Sequence, residues 1–338
     1  MGSVSAELIS ELPKVELHVH LEGTLEPTML LDLAARNDIA VPWDNVDELR
    51  QAYDFDGLEH FLALLFRGAG VLRQRQDFYD LTAAYLARAH HDGVRRTEMF
   101  FGAQTFLDAG VDIGEQLDGV ISAIDDARDH LGIDGALILT AQRHRTQDAA
   151  LELLDMTKPW HHRLLGFGLG GAERGNPPSK FVDYFAACRR LGLHTTIHAG
   201  EDGPASYVRE ALDVCHPERI DHGVSAADDP DLVKRLADER IPLTMCPLSN
   251  QRLQVTPDLA KHPLLQLHDA GVIVTINSDD PPYFGGYVND NYRAVATALD
   301  LPDAVVAELA ANSFRASFAG TPDILAGLTD IAACLQEQ

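Results

Sequence analysis

Four short stretches of this chain bring together residue types that do chemistry. They are His18-Val19-His20, His198-Ala199-Gly200-Glu201, Asp221-His222-Gly223 and Asn277-Ser278-Asp279-Asp280-Pro281. An H-x-H pair in extended backbone puts both imidazoles on one face, because residues i and i+2 of a strand point the same way. Two converging imidazoles suit a divalent metal, most often zinc. Alone, the pair reads rather as two histidines on a solvated strand. His198 can complete a three-histidine set, and the small Ala199 and Gly200 let the chain turn tightly behind it. Glu201 then stands near the metal without binding it. That is where a general acid–base belongs when a metal activates the attacking water.

His222 is read three ways: as a fourth ligand, as a group behind the ligands, or as a polar cap at a strand end. Asp279 follows an apolar run, so its carboxylate enters the same cluster. Three neutral imidazoles and one carboxylate leave a zinc centre near +1, enough to lower the pKa of a bound water. Asp280 is adjacent in sequence and cannot share that direction in extended chain, so it is expected to face a substrate. The only lysines are Lys14, Lys158, Lys180, Lys234 and Lys261. None falls within a predicted strand, so no modified lysine is expected to bridge two ions, and one metal per subunit is the reading.

Distant segments must be carried to one place. Eight β-rich runs alternate with helix-like segments: Val15–His20, Thr97–Phe101, Ala136–Ala141, Leu164–Leu169, Thr195–His198, Arg219–Asp221, Pro242–Cys246 and Val272–Asn277. Amphipathic stretches lie between them, including Gln76–His91, Ile113–Leu131, Lys180–Leu191 and Pro230–Glu239. Eight such alternations are the count of a (β/α)8 TIM barrel, an α/β fold whose catalytic groups gather at the C-terminal ends of the strands. The chain of 338 residues then reads as one domain, 1–338. Extra helices are expected over the mouth after the first strand, from Pro27 to Arg75, and a helical tail after Phe284. A second Asp-Asp-Pro, at Asp228-Asp229-Pro230, precedes an amphipathic helix and follows no strand, so it reads as an N-cap with proline in the first turn.

Composition narrows the partners. The 27 Lys and Arg against 52 Asp and Glu give a net charge of −25, which argues against nucleic acid and anionic membranes. No apolar run approaches the roughly 18 residues of a membrane span. The four cysteines show no paired spacing and read as reduced thiols, and the N-terminal stretch from Met1 to Lys14 lacks the pattern of a signal peptide. A cytoplasmic protein with a small-molecule substrate is the expectation. No feature speaks for a particular oligomeric state.

The stretches Leu12–Leu25 (LPKVELHVHLEGTL), His198–Glu201 (HAGE), Arg219–Val224 (RIDHGV), Cys246–Asn250 (CPLSN) and Asn277–Pro281 (NSDDP) resemble the adenosine/adenine deaminase family, in order and over nearly the whole chain. The family is a zinc-dependent (β/α)8 branch of the amidohydrolases. The resemblance implies that His18, His20, His198 and Asp279 hold one zinc, and that Glu201 shuttles a proton to purine N1. It implies that His222 orients the zinc-activated water, that Asp280 pairs with N7 as an acceptor, and that the backbone N–H of Gly171 meets N3. The reaction implied is hydrolysis of a cyclic amidine C–N bond at C6, giving a 6-oxopurine and ammonia.

Two departures bear on the substrate. Nucleoside-specific members carry Asp where this chain has Glu22, and that Asp contacts the ribose; the longer Glu22 would intrude into sugar space. The stretch Ser278–Tyr292 looks closer to the adenine branch, whereas Gly166–Glu173 (GFGLGGAE) departs from it. Adenine is therefore the first-choice substrate. The alternatives are adenosine, 6-aminodeoxyfutalosine or an N6-substituted adenine, and more distantly a non-catalytic zinc-stabilised purine binder. Arg143 and His144 read as either near the mouth or a surface pair. Ser249 and Asn250 read as shaping the loop after the seventh strand. Phe55, Phe61, Leu62 and Leu65 read as either an apolar lid or the packing face of a helix.

Overall fold

The computed structural model describes residues 6–336, so residues 1–5 of the N-terminal stretch read above lie outside the described residues. Eight parallel strands run in sequence order: β1 (Lys14–His20), β2 (Val94–Phe101), β3 (Asp134–Gln142), β4 (Gly166–Gly170), β5 (His194–Ala199), β6 (Arg219–His222), β7 (Leu243–Met245) and β8 (Val274–Ile276). Such strands are covered on both faces, which is why the run Leu137–Leu139 is apolar and buried. The helices Arg75–His91, Ile113–Leu131, Val182–Arg190 and Pro230–Asp238 occupy the amphipathic stretches read from the sequence. Asp229 caps the last of these, its carboxylate accepting from the backbone N–H of Leu232 at 3.1 Å with Pro230 opening the helix.

The barrel closes at one point that matters for function. Backbone N–H of His20 donates to the carbonyl of Asp279 at 2.9 Å, and N–H of Asp279 donates to the carbonyl of His18 at 3.1 Å. Just below, the side chain of Asn277 accepts from Leu17 N–H at 2.9 Å, and Glu16 accepts from Ser278 N–H at 3.0 Å. The seam between the last strand and the first is therefore stitched by the same residues that end both strands.

Of the helices after β1, Gly57–Ala69 lies over the mouth. Pro27–Arg36 flanks the barrel instead, with Arg36 reaching Asp77 and Asp80 of the helix Arg75–His91. The tail is helical, as Val288–Ala298, Asp303–Arg315 and Thr321–Cys334. Its middle helix covers the seam, Ser313 accepting from Val15 N–H at 2.9 Å. The far end of the barrel holds a buried pair, Arg219 to Glu98 at 2.6 Å, with the Arg219 guanidinium over the Phe318 ring. Lys14 opens β1 one residue earlier than read, but at the end remote from the site. Its ammonium donates to the carbonyls of Leu12 and Asp92, so this lysine does not approach the catalytic rim. No described helix is long and apolar enough to cross a membrane.

Candidate active site

β1 ends with His18 and His20, β5 carries His198, β6 ends with His222, and Asp279 follows β8. All five side chains meet at the C-terminal rim. His20 Nε2 and His198 Nε2 stand 3.1 Å apart. Asp279 Oδ1 lies 3.4 Å from His18 Nε2 and 3.5 Å from His20 Nε2. Oδ2 of the same carboxylate lies 3.8 Å from His222 Nε2, and Glu201 Oε1 approaches that nitrogen to 3.7 Å.

The donor set fits a divalent cation. His18 is fully buried and its Nε2 has no hydrogen-bond partner, an arrangement that costs free energy unless something else fills the position. On the opposite side of the ring, Nδ1 lies 3.0 Å from the Thr244 hydroxyl and 3.2 Å from the Thr244 carbonyl. A proton on Nδ1 donated to that carbonyl leaves a lone pair on Nε2, pointing at the cluster. His198 repeats the pattern, with Nδ1 3.3 Å from Asp221 Oδ2. Two Nε2 lone pairs facing each other at 3.1 Å repel unless a cation or a proton lies between them. Burial favours the former, since it is the main cause holding His20 down to about 3 and His222 well below the imidazole range. Burial pushes Asp221 and Asp279 up, but hydrogen bonds and the neighbouring imidazoles outweigh it and keep both ionised.

The carboxyls facing the cavity behave in the opposite way. Glu201 is pushed well above the carboxylate range by burial, then by the charges of Asp279 and Glu173. Asp280 is raised by burial and by Asp279, and its Oδ1 has no partner. A neutral carboxyl donates as well as accepts, so Asp280 is not restricted to the acceptor role read for it. Glu22 is raised to about 7 by burial; one oxygen accepts from Gly102 N–H at 3.0 Å and the other has no partner. Two glycines make these positions possible. A Cβ on Gly23 would overlap the Asp280 carboxylate, and one on Gly102 would meet Glu22 Oε1 at 2.6 Å.

One cavity is lined by His20, Glu22, Gly171, His198, Glu201, His222, Asp279 and Asp280, with His18 beneath them. Phe61, Leu62 and Leu65 of the helix Gly57–Ala69 roof it, together with Leu58 and Phe66. Phe55 backs this roof rather than lining it, its ring 5.3 Å from that of Phe61. Gly171 has φ of 95°, a conformation that glycine adopts at no steric cost. His222 and Asp279 also have positive φ, 62° and 64°. Such backbone costs a non-glycine residue on the order of 1 kcal/mol or more, strain that tends to sit at functional positions.

The structure separates the alternatives left open for other residues. Arg143 is not at the surface: it is fully buried, and its guanidinium donates to the His198 carbonyl at 2.5 Å. His144 is exposed at the edge, its ring 6.4 Å from Phe66. Ser249 and Asn250 lie buried in the short helix Pro247–Arg252, where Asn250 meets His262 at 3.0 Å. Cys246 joins His18, His222 and Asp279 in the cluster, but burial raises its thiol well above the usual range and disfavours thiolate ligation. Sequence reasoning missed Thr244, Asp221 and Glu173. Asp221 carried a visible signal, since a carboxylate beside a strand-end histidine is the usual orienting partner of a ligand imidazole.

Comparison with known proteins shows the family and the fold. The family model described as adenosine deaminase matches residues 13–332. An adenine deaminase of Rhodopseudomonas palustris (strain BisB18) is 49% identical over 315 residues, 93% of this chain and 92% of that one. The solved adenine deaminase of Arthrobacter aurescens superposes with a TM-score of 0.94 at 43% identity, over 96% of this chain and 99% of that chain. An amidohydrolase of Burkholderia ambifaria, crystallised with bound zinc, has the same fold: TM-score 0.91 at 24% identity, over 100% of this chain and 95% of that one. With its barrel, its strand-end histidines and a family match that spans almost every residue, the chain belongs to the adenosine deaminase family.

Proposed function

We propose that this protein hydrolyses adenine to hypoxanthine and ammonia with one zinc ion, held by His18, His20, His198 and Asp279. The observation that carries the reading is the convergence of four metal-type donors, the raised Glu201 and the half-free Glu22 on one roofed cavity. When bound, the cation supplies Lewis-acid activation of a water near neutral pH. The chain's own groups do the rest. Glu201, neutral in its buried position, brings a proton to purine N1, which makes C6 more electrophilic. His222 Nε2, between Glu201 and Asp279, orients the attacking water. N7 of the 9H base offers a lone pair, so Asp280 must supply the proton of that hydrogen bond. Gly171 N–H is the donor assigned to N3. The apolar roof excludes bulk water and strengthens each of these interactions.

Glu22 favours the free base. One of its oxygens is fixed on Gly102 N–H, and the other is buried without a partner at the cavity wall. When ionised, that oxygen can accept from N9–H, a group that adenine has and a nucleoside lacks. In a nucleoside the sugar would occupy the same space. The relatives named as adenine deaminases, at 49% and 43% identity, support the same assignment.

The test is release of ammonia from adenine, adenosine and 6-aminodeoxyfutalosine, and of the corresponding amine from N6-substituted adenines, by the metal-replete protein, repeated after chelation. Adenine should be turned over, and chelation should abolish the activity until zinc is restored. A protein that binds adenine yet releases neither ammonia nor an amine from any of the four would be the non-catalytic purine binder instead.

A further inference from the structure

Glu173, in the loop after β4, is 1% exposed. Its carboxylate is spent on the backbone of the loop after β5. Oε1 accepts from Gly200 N–H at 2.7 Å, and Oε2 accepts from Glu201 N–H at 3.0 Å and from Gly203 N–H at 2.9 Å. Three amides of this loop thus converge on one buried carboxylate, the geometry of an anion nest closed by the protein's own side chain. The loop needs such a partner, because Gly200 turns it with φ of 75° and its amides face the interior rather than a helix or strand. Glu173 is held in turn. Asn176 N–H donates to the Glu173 carbonyl at 3.0 Å, and the Arg143 guanidinium grips the Asn176 carbonyl at 2.8 Å while reaching the His198 carbonyl at 2.5 Å. The buried Arg143 and Glu173 therefore brace the HAGE loop from two sides.

We infer that Glu173 is a positioning residue, whose carboxylate fixes the loop backbone so that the Glu201 side chain meets His222 and the substrate in reacting geometry. The inference rests on the reading of Glu201 as the proton carrier. It adds a residue that acts only through Glu201, by backbone placement. Glu173→Gln keeps the shape but puts an NH2 group against one of the three amide donors, so one contact turns repulsive and the loop shifts. A displacement of about 1 Å at a catalytic group costs on the order of 100-fold.

The experiment measures kcat, KM and metal content for Glu173→Gln, Glu201→Gln and the double variant. Glu173→Gln should lose about 10- to 100-fold in kcat with adenine, with KM and metal content unchanged. In the Glu201→Gln background the same substitution should cost almost nothing further, because the group it positions is already disabled. Three results would overturn the inference: a wild-type kcat for Glu173→Gln, a loss that only follows its metal content, or an equal further loss in the double variant. If Glu201→Gln itself keeps the wild-type rate, the proton-carrier reading fails instead. Gly203→Ala gives a second route should Glu173→Gln fold poorly. Its new Cβ would stand 2.5 Å from the Glu173 carboxyl carbon and push it away, and it should show the same kcat-only loss; a wild-type kcat there also counts against the inference.

Discussion

Glu201 and Glu22 carry different parts of the account at the scale of single residues. Glu201→Gln removes the transferable proton but keeps the shape, so metal content should stay at one equivalent while kcat for adenine falls by about 100- to 10,000-fold. Steady-state rates with metal analysis on the same samples check it, and a near-normal rate would remove Glu201 from the mechanism. Glu22→Asp withdraws the carboxyl by one methylene from its place on Gly102 N–H. It should raise the adenosine-to-adenine ratio of kcat/KM by roughly 10- to 200-fold, the range one methylene controls in a tight pocket. An unchanged ratio would mean that another group excludes the sugar. The residues proposed to hold metal or purine stood out in the sequence because they lie at or just past strand ends as unusual His, Asp and Glu. The residues that hold them did not. Thr244, Asp221, Glu173 and Arg143 act across the barrel on partners 20 or more positions away, and nothing in their local sequence names those partners.

Elements were legible to within a few residues where burial forces a long apolar run, as in β3. The last two strands came out shorter than read, Leu243–Met245 and Val274–Ile276, because the chain leaves the sheet at once to place Cys246 and Asp279. The seam at His18, His20 and Asp279 could not be read at all, since it depends on a left-handed backbone at Asp279. β1 also carries a testable electrostatic cost at its far end. Burial lowers the Lys14 ammonium from 10.5 to about 8. Between those values the unfolded chain holds a proton that the native state does not, so native stability gains from this residue as pH rises from about 8 to about 10.5. Relative to Lys14→Met, the wild type should therefore gain stability, by at most ~3 kcal/mol, between pH values near 7.5 and 10. Urea midpoints of both proteins report the difference. A gap that stays constant with pH would show that Lys14 is not desolvated as described.

At the scale of the whole molecule, the proposed metal site joins the first strand to the last. His18 and His20 come from β1, His198 from β5 and Asp279 from the end of β8, so a bound cation cross-links the two edges of the closing sheet. Chelation should lower Tm by several degrees and leave the fold intact, and added zinc should restore it in a concentration-dependent way. A Tm insensitive to both would place the metal elsewhere. The net charge of −25 and a cavity lined without Lys or Arg leave nothing to hold a phosphate, which fits an uncharged purine. The central claim, a hydrolytic deaminase tuned to the free base, meets its most direct test in one comparison: kcat/KM for ammonia release from adenine and from adenosine, with the same metal-replete preparation. The account predicts that adenine exceeds adenosine by at least about 100-fold. Adenosine turned over as well as adenine, or better, would contradict it.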